Sequence, residues 1–183
     1  MPERLTILFA PLDAVGHVNA CIGIAEVLRD RGHRIVFAIS DNWREKLKIY
    51  GFEEELIKLS KKVTVEDPAK FWADMCQKAG MFGPLSPLEK IKSMAGDGFK
   101  EIIDRNKTSD PIMKEIVCRI KPDIILIDGF LWMPSLMNSG IPWVWSISCN
   151  PLCIDHAMED KRLPPATSGK KRFNEQKYNY VLN

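Results

Sequence analysis

What constrains this chain most is a change of hydrophobic period near its N-terminus. Residues 5–10, Leu-Thr-Ile-Leu-Phe-Ala, form a continuous apolar run. Such a run suits a strand buried on both faces, as in a parallel sheet. From Val18 onward the period becomes helical. Val18, Cys21, Ile22, Ala25 and Leu28 recur on one side, with Glu26, Arg29 and Asp30 mainly on the other. Gly32 stands where a C′ glycine ends a helix, and Arg-Ile-Val-Phe-Ala-Ile at 34–39 is a second apolar run. Strand, helix, strand in quick succession leaves few folds. Parallel strands need a crossover, the crossover is right-handed, and both faces of the sheet need cover.

The pattern continues and then breaks. Asn42 with Glu45 three residues on matches a capping box, and Trp43, Leu47 and Tyr50 make the apolar stripe of a short helix ending at Gly51. Residues 52–59 read as a third strand. Residues 60–110 are Lys-rich and punctuated by Pro and Gly, with helical segments near 66–79 and 87–106 and a loop at 78–87. Regularity returns with a helix near 111–120, a strand at 123–127, a helix near 131–139 and a strand at 143–147. The expected architecture is α/β. Residues 1–150 form a Rossmann-like parallel sheet with helices on both faces and a helical insertion at about 60–110. Residues 151–183 form a tail of the same lobe, a candidate lid segment.

Composition narrows the function classes. The chain has 183 residues, 45% of them apolar, enough for a core, and a net charge of +2 that gives no electrostatic case for nucleic acid. The first apolar run is too short for a signal peptide, and no stretch nears the roughly 20 apolar residues of a membrane span, so a cytoplasmic protein is expected. The five cysteines are scattered, with no Cys-x-x-Cys. They read as reduced core thiols, with no metal and no bound cofactor expected.

Two titratable residues stand where open parallel sheets bind ligands, beyond the carboxyl ends of strands. His17 follows the first strand through Pro11–Gly16 and occupies a helix start, and Asp128 immediately follows the strand at 123–127. The helix dipole favours a neutral imidazole at such a start. A neutral imidazole can accept a proton, and a carboxylate behind it fixes the tautomer and steadies the imidazolium. The pair therefore reads as a general base and its orienter, or alternatively as a helix-start histidine and a strand-end aspartate used as caps. No serine or cysteine motif accompanies it, so the nucleophile would be a substrate hydroxyl. Asp-Ala-Val-Gly-His-Val carries one glycine where a dinucleotide fingerprint needs three, and there is no Walker A sequence.

At these residues the chain resembles a known family. Gly16-His17-Val18-Asn19, the following helix, and Arg31-Gly32-His33 before strand two are similar to the first β-α-β unit of the UDP-sugar-dependent glycosyltransferases of the GT-B fold. That family includes macrolide and plant small-molecule glycosyltransferases. Its pattern has proline where this chain has Ala20. Residues 122–151 resemble the family's later segment, in which a strand-end aspartate partners the histidine.

The resemblance implies His17 and Asp128 as catalytic residues, with a UDP-sugar as donor substrate and a small lipophilic hydroxyl-bearing compound as acceptor. It places Ser148 and Gly16 near the transferred sugar. Acceptor contacts would come from Phe71, Trp72, Met81 and Phe82 in the insertion and from Phe130 and Trp132 after Asp128, although each also reads as core packing. His33 is expected to be an exposed strand-entry residue. The family's donor-binding His-x-Gly-x-x-Ser element has no counterpart after Ser148. The resemblance is thus to the acceptor-binding lobe, with the second lobe absent from this sequence and supplied in cis or in trans. Two other readings keep the same fold: a binding lobe without chemistry, and one chain of a split enzyme.

Overall fold

The computed structural model describes residues 4–58, 68–129 and 133–148. These form a five-stranded sheet of β1 (Thr6–Pro11), β2 (Arg34–Ser40), β3 (Glu53–Ile57), β4 (Ile124–Asp128) and β5 (Trp143–Ser146). The order across the sheet is β3-β2-β1-β4-β5, and every neighbouring pair is parallel. The chain moves outward from β1 through β2 to β3, then returns to add β4 on the other side of β1. Strand order therefore reverses between β1 and β4. At that switch point the crossovers leave on opposite faces and open a crevice at the carboxyl ends.

The strands lie between two apolar layers because their side chains alternate. On one face Ile7, Phe9, Ile35, Phe37 and Ile39 pack against Val18, Cys21, Ile22 and Ala25 of helix α1 (Val15–Asp30). On the other face Leu8, Ala10, Val36, Ala38, Ile125 and Ile127 meet Met113, Ile116 and Val117 of helix α4 (Phe99–Ile120). The α1 stripe is the one its helical spacing predicts. Gly32 has φ +96 and stops the helix, a conformation that costs glycine nothing.

The segment between β2 and β3 does not form the helix expected over 42–50. It makes two 3₁₀ turns, Asp41–Trp43 and Lys48–Tyr50. Glu54 is the reason. Its carboxylate accepts the backbone N–H groups of Glu45 (2.7 Å) and Leu47 (2.8 Å), which supplies an alternative to helical bonding. Trp43 and Leu47 are buried and Tyr50 is partly so, so these apolar side chains pack inward without helical geometry. The capping box lies elsewhere, at Ser86 and Glu89, opening helix α3 (Pro87–Ser93).

Helix α2 (Pro68–Lys78) lies where the insertion was expected to be helical. The boundary expected before residue 111 is absent. A π turn over Met94–Gly98 joins α3 to α4, and α4 continues through Pro111. Proline there brings no N–H for the carbonyl of Lys107. The buried stripe of Met113, Ile116 and Val117 holds the helix together across that gap. Helix α5 (Pro134–Met137) is shorter than expected, and the Ser135 backbone and hydroxyl both donate to Asp110 of α4, at 2.9 and 2.8 Å. The 151–183 tail lies outside the described residues.

Candidate active site

The crevice is built by the ends of β1 and β4. Their register sets Pro11 opposite Asp128, and the Leu12 N–H donates to the Asp128 carbonyl at 2.6 Å. The chain then turns through Asp13 and Ala14 into α1, which places His17 in the first helical turn. His17 Nδ1 lies 2.9 Å from Asp128 Oδ1. Asp128 is fully buried and His17 is nearly so. A carboxylate only accepts, so the proton on this ring side belongs to Nδ1, and Nε2 is the acceptor nitrogen of the neutral ring.

Two further side chains close on the same carboxylate. Ser148 follows β5, and its Oγ sits 3.1 Å from Asp128 Oδ1 and 3.0 Å from His17 Nδ1. Its backbone N–H also approaches Oδ1, at 3.4 Å. Cys21 lies one turn beyond His17 on the same face of α1 and directs its thiol at Oδ2, 3.9 Å away. Burial pushes the Cys21 thiol up to about 12, and the charge of Asp128 adds to that shift. Cys21 is therefore a neutral thiol beside the pair, and a weak donor to it.

A second cluster lies beside the first. The Asp13 carboxylate accepts from Trp43 Nε1 (2.7 Å) and pairs with Arg105 (3.2 Å), while its carbonyl accepts from Trp72 Nε1 (2.7 Å). One loop residue thus links the β1–α1 turn to the segment after β2, to α2 and to α4. Sequence reasoning missed Asp13. The only local signal was an acidic residue in an otherwise apolar loop.

A cleft opens on the α4 side of the rim. Ser40, Ile57, Ile102, Met113, Ile127 and Met133 line it, Trp72 and Arg105 flank it, and it runs to Asp128 and Gly129. Its enclosed volume is about 80 Å³. Pockets that swallow a drug-sized ligand run to several hundred Å³, so this cleft has room for no more than one end of such a molecule.

The residues singled out from sequence are distributed unevenly. The structure brings His17, Asp128 and Ser148 together and puts Trp72 in the cleft wall. Ser148, expected beside a sugar, is placed on the His17–Asp128 pair. Gly16 is exposed in the first turn of α1, with open space where a Cβ would stand. Met81 and Phe82 do not line the cleft. Gly80, at φ +69, turns the chain away after α2, and Phe82 is left 76% exposed. Phe130, Trp132 and the side chain of Phe71 lie outside the described residues. His33 is half-buried rather than exposed, because its Nδ1 accepts the Leu5 N–H at 3.2 Å. Among the described residues, no cluster of three or more His, Cys, Asp or Glu side chains could hold a metal ion, and no helix is long and apolar enough to cross a membrane.

The fold is that of the GT-B glycosyltransferases. The solved structure of a Streptomyces sp. SF2575 glycosyltransferase superposes with a TM-score of 0.54 over 79% of this chain and 39% of its own, at 18% identity. In sequence the chain is similar to demethyllactenocin mycarosyltransferase of Streptomyces fradiae, 25% identical over 134 residues. It is also similar to anthocyanidin 3-O-glucoside 2''-O-glucosyltransferase of Ipomoea nil, 27% identical over 154 residues. These matches take in 73% and 83% of this chain but only 26% and 30% of the two relatives, so the chain spans less than a third of their length. No family model matches the chain.

Proposed function

We propose that this chain is the acceptor-binding lobe of an inverting, UDP-sugar-dependent glycosyltransferase. The observation that carries the reading is the buried 2.9 Å contact of His17 Nδ1 with Asp128 Oδ1 at the switch point of the sheet. With Nδ1–H given to Asp128, Nε2 takes the proton of an acceptor hydroxyl. The acceptor oxygen forms a bond to the anomeric carbon of the sugar. The bond from that carbon to the UDP oxygen breaks, and its electron pair leaves with UDP. One displacement inverts the configuration, and Asp128 steadies the imidazolium that results. No metal ion is needed in this scheme, since the base and the acceptor supply the chemistry.

The acceptor belongs in the cleft beside the pair. Its mainly apolar lining suits the lipophilic end of a small molecule that carries a hydroxyl. The relatives' names give an anthocyanidin 3-O-glucoside and demethyllactenocin as the compounds they glycosylate. UDP is held by a second lobe, in cis or in trans.

The test is UDP release by the full-length protein given UDP-glucose and a panel of phenolic and macrolide acceptors. The wild type turns over. His17→Ala lowers kcat/KM by about 10²–10⁴, the usual worth of a general base, while acceptor binding is retained. Turnover of His17→Ala at the wild-type rate overturns the reading. Acceptor binding by a wild type that never turns over identifies a binding lobe instead.

A further inference from the structure

Ser40 is the last residue of β2 and is 8% exposed. Its Oγ is the one buried side-chain polar atom among the described residues that has no hydrogen-bond partner. Natural structures leave few such atoms, because a desolvated hydroxyl with nothing to bond opposes folding. Strand alternation sends Ser40 to the same face as Val36 and Ala38, and it lines the cleft with Ile57 and Met113. The polar neighbours there have partners already. Ser109 Oγ donates to the Asn106 carbonyl at 3.1 Å, and Arg105 and Trp72 are engaged at Asp13.

Resting on the reading that this cleft takes the acceptor, we infer that Ser40 is a specificity-determining residue. Its hydroxyl bonds a polar group at the end of the acceptor remote from the reacting oxygen. The sheet sets the span. Ser40 is on β2 and Asp128 on β4, with β1 between them. Two strand spacings set them about 10 Å apart within the sheet, and alternation sends Ser40 to the α4 face and Asp128, with His17, to the α1 face, so a molecule that meets both passes around the carboxyl rim. The acceptor class is therefore an elongated, largely apolar molecule with a polar group at each end. One end reacts beside His17, and the other is recognised by Ser40.

The experiment is calorimetric titration of the full chain and of Ser40→Ala with two probes. The first is 4,4′-biphenol, whose hydroxyls stand about that far apart. The second is its hydroxyl-free parent, biphenyl. Ser40→Ala is expected to bind biphenol about tenfold more weakly than wild type, as loss of one buried hydrogen bond implies, and biphenyl equally well. Because Ser40 Oγ has no partner to lose, the variant's melting temperature stays at or above that of wild type. Biphenol affinity within twofold of wild type overturns the role of Ser40 and leaves the acceptor cleft standing. A parallel loss of both probes, or a lower melting temperature, overturns it as well, since the hydroxyl would then be structural. Failure of wild type to bind either probe overturns the acceptor reading of the cleft, and the role of Ser40 with it.

Discussion

Asp128 has no exposed surface, and among the described residues three side chains bring a donor to it: His17, Ser148 and, more weakly, Cys21. Cys21 tests that environment directly. The thiolate is the reactive form, and burial with the nearby carboxylate holds this thiol neutral up to about 12. Native protein treated with iodoacetamide at pH 8 should be alkylated at exposed Cys118 while Cys21 stays unmodified until the chain unfolds, which peptide mass mapping reads. The sign of the linked pH effect follows. The folded thiol holds its proton more tightly than the unfolded one. Its contribution is therefore intact below pH 9 and is lost as the pH rises from about 9 toward 12. Urea midpoints across that range should fall more steeply for wild type than for Cys21→Ala.

The β1–α1 loop, which leads into the helical turn of His17, depends on elements far along the chain. Asp13 gives it three attachments, to Trp43, Trp72 and Arg105. Asp13→Ala removes the acceptor of the Trp43 N–H and the carboxylate that faces Arg105. Urea unfolding should register a loss of about 1–3 kcal/mol, the cost of an unsatisfied buried donor. Asp13→Asn keeps an oxygen for Trp43 and should lose less. Helix α4 offers the opposite case. Pro111 sits in its interior and denies the Lys107 carbonyl a partner. Pro111→Ala restores that bond and should stabilise the protein by about 1–3 kcal/mol in urea unfolding.

Across the sheet, aromatic packing ties the strands together on the α1 face. Phe9, Phe37 and Phe52 stack in series on the α1 face, with centroid separations of 4.9 and 5.2 Å. Phe37 is central to that series and fully buried. Phe37→Ala should cost about 3–5 kcal/mol in denaturant unfolding, as deletion of a buried ring does elsewhere. The loss falls two strands away from Asp128, so it reports on the sheet rather than on the His17–Asp128 contact.

Local periodicity determined the parallel strands, the α1 helix with its buried stripe and its Gly32 stop, and the placement of His17 and Asp128 beyond the carboxyl ends of two strands. Those features depend on spacing along the chain, where side-chain alternation and helical pitch act within a few residues. Tertiary structure alone decided the rest. Glu54 reaches back to bond two N–H groups and turns an expected helix into 3₁₀ turns. Sheet packing carries α4 through a proline that local rules treat as a boundary. Ser148 reaches His17 from the end of the edge strand β5, 131 residues along the chain, and Asp13 draws together residues up to 92 positions away. Spacing cannot encode such contacts, because burial energy gathered over the whole sheet exceeds any local preference of the backbone.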